Sequence, residues 1–506
     1  MRALISVTDK TGVVDFSREL ENLGYEIIST GNTYKTLIEN GVSAVTIDSV
    51  TKFPEILDGR VKTLNPYIHG GILFKRDDES HKKTISELNI SSIDIVVVNL
   101  YDFEGTLKSG KSHEEIIENI DIGGPSMIRS SAKNYKDVIV ITDINDYSLV
   151  IEKLKNNSLT LEDRKKLAYK AFSITARYDA LISGYFRELL DDTFPESLTL
   201  TFDKETSLRY GENPHQNAGL YSEVSAKNPI LNYTQLNGKE LSFNNINDLY
   251  GCLEVMREFK NEVVSVAIKH TNPCGVGIGK NSYEAFKKCY EADKISIFGG
   301  IVGITSKVDV DTANLLKEIF LEIVVAYDFD DEALEILKTK KNLRILKLEK
   351  IEDTKQVYDF KYLDGKLLVQ DKDILLTEDY EVVTKLKPTE REVSDMEFGM
   401  KIVKNMKSNA IVVVKDGQTL ACGCGQTSRI WALKNALSNN SDKDFTGAVL
   451  ASDAFFPFDD CVRLANEYNI KSIVQPGGSI KDKDSIDACD ELGINMVFTK
   501  VRHFKH

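Results

Sequence analysis

Ile93-Asp94-Ile95-Val96-Val97-Val98-Asn99-Leu100 is an apolar run of strand length with one acid near its start and an amide near its end. It lacks the polar alternation of a sheet with one wet face. A strand buried on both faces, as in parallel α/β sheets, accounts for it better. The surrounding elements alternate as such a sheet requires. Ala3–Val7 reads as a strand and Thr11–Leu23 as a helix, with Val13, Val14, Phe16, Leu20 and Leu23 at helical spacing. Tyr25–Ser29 and Thr33–Glu39 repeat that pair, the helix stopping at Asn40-Gly41, and Val138–Thr142 supplies a further strand. These βα units predict a doubly wound α/β domain with its ligands at the C-terminal strand ends.

Further along, residues 146–190 are charged and helical in pattern, and Asp191-Asp192-Thr193-Phe194-Pro195 reads as the exit from them. A first domain over residues 1–195, with a helical connector at about 146–195, is therefore expected. Alternation resumes over residues 196–506, with strands at Val263–Lys269, Ile323–Ala326, Ala410–Lys415 and Gly447–Ser452. A region of that length is expected to divide again near residue 375.

The chain has 506 residues, of which 42% are hydrophobic, enough for real cores. No apolar run approaches the roughly 20 residues of a membrane span, and the start lacks the pattern of a signal peptide. A cytoplasmic location without membrane contact is the expectation. The net charge of −14 argues against a sequence-independent grip on nucleic acid. Seven cysteines, none before Cys252, do not form a disulfide pattern. Cys422 and Cys424 lack further ligands at metal-site spacing, so inert thiols and no metal are expected.

In the first part, Ser6-Val7-Thr8-Asp9-Lys10-Thr11-Gly12 and Ser29-Thr30-Gly31-Asn32-Thr33 each leave a strand toward a helix. Hydroxyls, a glycine and a helix N-terminus make an anion cradle, although plain helix capping uses the same residues. Gly59-Arg60-Val61-Lys62-Thr63-Leu64-Asn65-Pro66 concentrates cations near a proline turn. Asn99-Leu100-Tyr101 ends the strongest strand, and Asp121-Ile122-Gly123-Gly124-Pro125 precedes a helix reaching Lys133.

In the second part, Leu208-Arg209-Tyr210-Gly211-Glu212-Asn213-Pro214-His215-Gln216 can present a cation and an aromatic to an anionic heterocycle. Val263–Lys269 then delivers Lys269 and His270 side by side, with Thr271-Asn272-Pro273-Cys274-Gly275 as a turn closing the site. Neighbours on a strand point to opposite faces, so the pair can share a target only where the strand ends. Gly275-Val276-Gly277-Ile278-Gly279 imitates a dinucleotide loop, but Lys280 stands where the pattern needs glycine. A zinc deaminase would need P-C-x-x-C, and the second cysteine is missing after Pro273-Cys274. Phe298-Gly299-Gly300, Lys407-Ser408-Asn409, Gly425-Gln426-Thr427-Ser428-Arg429, Ser452–Phe458 and Val501-Arg502-His503-Phe504 complete the polar and aromatic segments.

SVTDKTG, GRVKTL, NLY, DIGG and the Lys133 segment, followed by LRYGENPHQ, KHTNPCGVG, FGG, KSNA, GQTSR, SDAFFPF and RHF, stand in the order of the AICAR transformylase/IMP cyclohydrolase family. The resemblance covers essentially the whole chain. It implies an N-terminal methylglyoxal-synthase-like domain and a C-terminal cytidine-deaminase-like region of two related subdomains, without the metal. The implied reactions are formyl transfer from 10-formyltetrahydrofolate to AICAR and dehydrative closure of FAICAR to IMP.

By that resemblance Lys62, Tyr101, Asp121 and Lys133 act in ring closure, while Ser6, Lys10, Ser29, Gly31, Thr33, Arg60, Thr63, Asn99, Gly123 and Gly124 hold the nucleotide. Lys269, His270 and Asn409 act in formyl transfer. Arg209, Tyr210, Phe298, Gly299, Gln426, Arg429 and Arg502 contact nucleotide, and Phe455 and Asp460 flank the folate. A homodimer with transformylase sites at the subunit interface is also implied. The chain departs from the family pattern at Asn32, Asn65, Asp102, Lys294 and Tyr327. Two rival readings are a purine-nucleotide-binding regulator that has lost catalysis and a zinc deaminase.

Overall fold

A computed structural model describes residues 1–226, 229–352 and 358–506. The chain forms two compact units, one of Met1–Asp203 with Tyr221–Ser225 and one of Lys204–Leu220 with Ala226–His506.

The first unit is built on a five-stranded sheet of β1 (Arg2–Ser6), β2 (Glu26–Ser29), β3 (Ala44–Thr46), β4 (Ile95–Val98) and β5 (Ile139–Ile141), in the order β3-β2-β1-β4-β5. Every pairing is parallel. All four residues of β4 are buried, as its unbroken apolar run requires of a strand covered on both faces. The segment after residue 146 forms helices Tyr147–Lys155 and Leu161–Leu189. The second opens with a capping box of Thr160 and Asp163, and its Leu167, Ala168 and Ala171 lie in the unit's main core. This helix is a layer of the unit.

Next in the chain come the strands β6 (Phe202–Leu208) and β7 (Ala218–Glu223). The second unit then runs through β8 (Tyr233–Asn237), β9 (Val264–Lys269), β10 (Asn272–Ile278), β11 (Ile301–Val308), β12 (Ile323–Phe329) and β13 (Arg344–Leu348). An exposed ribbon of β14 (Tyr358–Leu363) and β15 (Lys366–Asp371) follows. The remaining strands are β16 (Glu381–Val382), β17 (Ile411–Lys415), β18 (Gln418–Gly423), β19 (Val449–Ser452), β20 (Ser472–Gln475) and β21 (Asn495–Phe498).

Apart from the ribbon and β6–β7, these strands make one 12-stranded sheet, β16-β21-β20-β19-β17-β18-β10-β9-β11-β12-β13-β8. Read outward from its centre, the sheet is the same object twice. Each half has a central antiparallel hairpin (β9–β10, β17–β18), an antiparallel step to β11 or β19, two parallel steps, and an antiparallel edge strand. The halves meet where Gly277 pairs with Gln418 and Val276 N–H donates to Thr419 Oγ1 at 2.9 Å. Val264, Val266 and Ile268 of β9 are fully buried, each worth about 1.5–3 kcal/mol over exposure as an upper bound.

The glycines after Pro273 form strand β10, where the sequence pattern implied a closing turn. A Cβ at Gly277 would lie 2.7 Å from Ala285 O, and one at Gly275 would enter the Cys289 carbonyl. Glycine is there so that helix Ser282–Ala292 can lie on the strand. The resemblance to a dinucleotide loop came from this packing need.

Candidate functional sites

In the first unit Ser6 ends β1 in register with Val98 of β4. The chain order reverses between these strands, so the crevice at their C-terminal ends is a topological switch point. Asn99 spans it. Its Oδ1 accepts the N–H groups of Thr8 and Asp9, and its Nδ2 donates to Asp9 O at 2.9 Å. Lys10 Nζ donates to Thr8 O at 3.1 Å within the same loop.

Ser6 Oγ lies 2.8 Å from Thr30 Oγ1. Ser29 and Thr33 are buried, and their hydroxyls donate to the Ile5 and Val7 carbonyls at 2.8 and 2.9 Å. These two residues therefore offer an anion only backbone. Helix Gly31–Glu39 has no side-chain cap at Thr30, which leaves its first-turn N–H groups for a ligand at the positive end of the dipole. Gly31 takes the left-handed backbone (φ +44°) and Asn32 is already helical, so the replaced glycine of the family pattern has no conformational duty here.

A second cluster forms beside this crevice. Thr63 is buried, and its Oγ1 would stand 2.6 Å from a Cβ at Gly123. A Cβ at Gly124 would meet Leu100 Cδ2 at 2.8 Å. The two glycines let the Gly59–Asn65 loop, the end of β4 and the first turn of helix Gly123–Lys133 converge. Asp121 Oδ1 accepts Gly124 N–H at 2.8 Å, and Asp121 N–H donates to Tyr178 Oη at 2.8 Å.

Burial holds the Asp121 carboxyl above the usual carboxylate range, against N–H groups of Gly124 and Tyr101 and the charge of Lys62, which pull it down. Burial likewise raises the Tyr101 phenol, helped by the charges of Asp121 and Glu55. Lys62 Nζ lies 3.8 Å from Glu55 Oε1. Lys62, Tyr101 and Asp121 thus form one electrostatic group.

Lys133 does not join that group directly. It is exposed at the last residue of the helix that Asp121 precedes, about three turns away. Arg60 is turned outward in an ion pair with Glu118. The departures Asn65 and Asp102 are both helix N-caps, accepting the N–H of Tyr67 at 2.9 Å and of Gly105 at 2.8 Å. Each replaces a family residue with a capping one.

In the second unit β9 and β10 are joined by a two-residue turn, since Lys269 pairs with Asn272. His270 and Thr271 both have positive φ, 51° and 64°, in the manner of a type I′ hairpin. Such backbone costs L-residues about 1–2 kcal/mol each, and a β-branched threonine resists it most. The strand end places Lys269 and His270 on one side. Both line a cavity of about 1050 Å³ with Arg209, Tyr210, Asp248, Gly299 and Lys407.

Lys269 Nζ donates to Phe298 O at 2.8 Å and would lie 3.1 Å from a Cβ at Gly299, which has φ +68°. The Phe298 ring stands outward, 5.2 Å from that of Phe320. The Arg209 guanidinium lies 5.4 Å from the Tyr210 ring centre. Gln216 closes their loop by accepting the N–H of Gly211 at 2.8 Å through its carbonyl and that of Asn213 at 2.8 Å through Oε1.

Asn409 lines a different cavity of about 320 Å³, with Arg429, Phe455, Phe458, Asp460 and Phe504. Its Nδ2 donates to Gln426 O at 2.9 Å, and its Oδ1 accepts Arg429 Nη2 at 2.8 Å. Arg429 is 4% exposed and also holds Ser452 Oγ and Asp453, the latter fully buried. Its geometry aims and braces Asn409. Arg502 stacks 4.5 Å over Phe504 on the cavity wall.

One residue here, Asp248, escaped sequence reading. Asp248 accepts Thr271 N–H at 2.8 Å, and Asn272 Oδ1 accepts Lys407 N–H at 3.0 Å. The one available signal for Asp248 was Gly251, which lies three residues later on the same helix face. A Cβ there would stand 3.1 Å from Thr271 O, so the helix touches the turn. The cysteine thiols are all free, and burial pushes each of them up. Among the described residues no group of three or more His, Cys, Asp or Glu side chains could hold a metal ion.

Comparison with known proteins matches both halves of this arrangement. The family model described as AICARFT/IMPCHase bienzyme matches residues 131–439, and that of the MGS-like domain matches residues 12–126. The bifunctional purine biosynthesis protein PurH of Clostridioides difficile (strain 630) is 74% identical over 507 residues, covering 100% of this chain and 99% of that protein. Proteins of the same name from Clostridium botulinum strains 657 (Type Ba4) and Loch Maree (Type A3) are 56% identical over 506 residues, with 100% and 99% covered. This chain belongs to the AICARFT/IMPCHase bienzyme family, and it is a bifunctional formyltransferase and cyclohydrolase of purine biosynthesis that uses a folate-type formyl donor.

Proposed function

We propose that the second unit moves the formyl group of 10-formyltetrahydrofolate to the 5-amino group of AICAR through Lys269, His270 and Asn409. The observation that carries this reading is the His270-Thr271 turn, which sets Lys269 and His270 at the mouth of the Arg209–Tyr210 cavity. The amine nitrogen attacks the formyl carbon, and His270 takes the proton it sheds. Lys269 stabilises the oxygen charge that develops or protonates the folate nitrogen as the carbon–nitrogen bond breaks. Asn409, held by Arg429 and the Gln426 carbonyl, is ordered to orient the formyl group. Arg209 and Tyr210 offer a cation and a ring to the nucleotide.

In the first unit the carboxamide nitrogen of FAICAR attacks its formyl carbon, and water leaves. Lys62 stabilises the oxyanion, while Tyr101 and Asp121 exchange protons across their shared field. Lys133, Ser6, Lys10, Thr63, Asn99 and the open N-terminus at Gly31 border the groove that receives the nucleotide. In the proposed assembly two chains pair. Lys269–His270 and Asn409 line separate cavities of one chain, which supports a transformylase site completed by a second copy. The proposed location is the cytoplasm; among the described residues no helix is long and apolar enough to cross a membrane.

The test is direct. Purified protein given AICAR and 10-formyltetrahydrofolate should release tetrahydrofolate and then form IMP. Lys269→Ala or His270→Ala should abolish formyl transfer while supplied FAICAR is still cyclised. Accumulation of FAICAR by the unaltered protein would contradict the roles assigned in the first unit.

A further inference from the structure

The two halves of the large sheet share a device. The helix before each central hairpin sends one aspartate to the hairpin turn. Asp248, on helix Phe243–Glu258, accepts Thr271 N–H through Oδ1 at 2.8 Å. Asp395, on helix Glu390–Val403, accepts the N–H groups of Asp416 and Gly417, both at 3.0 Å. Both turns hold two successive residues at positive φ, 51° and 64° at His270-Thr271 and 52° and 66° at Asp416-Gly417.

The residues filling these turns differ in kind. Asp-Gly is what a two-residue turn of this hand favours, so the second turn is inclined to its backbone already. Histidine followed by a β-branched threonine is not. In the first half the same backbone is held from outside, by Asp248, and from within, by Thr271 Oγ1 and Asn272 Nδ2 donating to His270 O at 2.6 and 3.0 Å. Gly251 brings the helix close enough for Asp248 to reach.

We infer that Asp248 is a positioning residue for formyl transfer. It accepts Thr271 N–H and so fixes the left-handed His270-Thr271 turn that carries His270 into the cavity of Arg209 and Tyr210. The inference rests on the reading that His270 acts on the amine. Its physical basis is strain held at a functional turn by the structure around it.

The test uses the full-length protein with AICAR and 10-formyltetrahydrofolate. Asp248→Ala should lower kcat about 10- to 100-fold with a smaller change in KM for AICAR, as for a misplaced reacting group. Cyclisation of supplied FAICAR should be unaffected in the same sample. Asp248→Asn keeps an oxygen acceptor, and should stay within about 3-fold of the unaltered protein. Equal losses in the Asn and Ala variants would overturn the positioning role, because the charge itself would then be at work. So would an Ala variant of unaltered kcat. Should the Ala variant fail to fold, Asp248→Ala with Thr271→Gly relieves the backbone demand and should recover both folding and turnover; no recovery counts against the inference. His270→Ala is run alongside. Transfer surviving in that variant would refute the role of His270 itself, whereas transfer lost there but kept in Asp248→Ala would refute only the role of Asp248.

Discussion

Asp121 is pulled two ways, and the conflict is its usefulness. Burial favours its neutral form, while three backbone N–H groups and Lys62 favour the carboxylate, leaving it a stronger base than an exposed carboxylate. Its folded pKa lies above the ordinary 3.8, so just above that pH the folded chain holds more proton than the unfolded one. Stability therefore falls as pH rises through that window, and Asp121 carries a standing cost at neutral pH. Asp121→Asn should raise the unfolding temperature of the first unit at pH 7 and abolish cyclisation, read by calorimetry beside a FAICAR assay. An unchanged or lowered unfolding temperature would contradict the sign. Tyr178, whose own phenol is pushed up to about 12 by burial, accepts the Asp121 N–H. Tyr178→Phe should cost about 1–3 kcal/mol in denaturant unfolding of the first unit by orphaning that donor, and should slow cyclisation without touching formyl transfer.

At the scale of elements, strand β10 and helix Ser282–Ala292 show how a glycine pattern is decided by packing. Gly275 and Gly277 face the helix backbone, and neither position has room for a methyl group. Gly277→Ala should destabilise the second unit by about 1–3 kcal/mol and lower formyl transfer more than cyclisation, since it displaces the strand that follows the His270-Thr271 turn. Thermal unfolding and the two half-reaction assays separate these effects. No loss of stability would show that the helix can move away. The capping residues behave more locally. Asn65→Ala removes the acceptor for Tyr67 N–H and should cost about 1 kcal/mol, measured as a lower unfolding midpoint.

Across the whole molecule, the residues proposed for formyl transfer line two cavities of one chain. Lys269 and His270 share a cavity with Arg209 and Tyr210, while Asn409 shares another with Phe455 and Asp460. If a second copy completes the site, diluting the protein below its dimer affinity should lower specific formyl transfer, whereas cyclisation by the first unit persists. Activity against concentration, beside sedimentation of the same samples, reads this out. Transfer that stays constant while the protein sediments as a monomer would show that one chain suffices.

The residues by themselves determined the α/β class, because Ile93–Leu100 has no polar alternation and the helices between strands keep their spacing. They also singled out Lys269-His270 as a strand-end pair, since the apolar run stops there. What they could not show were distances between segments far apart in the chain. Nothing local marks Asp248 as the acceptor for Thr271, or Arg429 as a brace for Asn409 rather than a cation facing outward. Nor does it show that the Ser29 and Thr33 hydroxyls are consumed by the Ile5 and Val7 carbonyls. A side chain's chemistry is written in the sequence, but its hydrogen-bond partner is chosen by what the fold brings within 3 Å or so. That is why the tertiary structure alone decided which polar groups are spent inside the protein and which are left for a substrate.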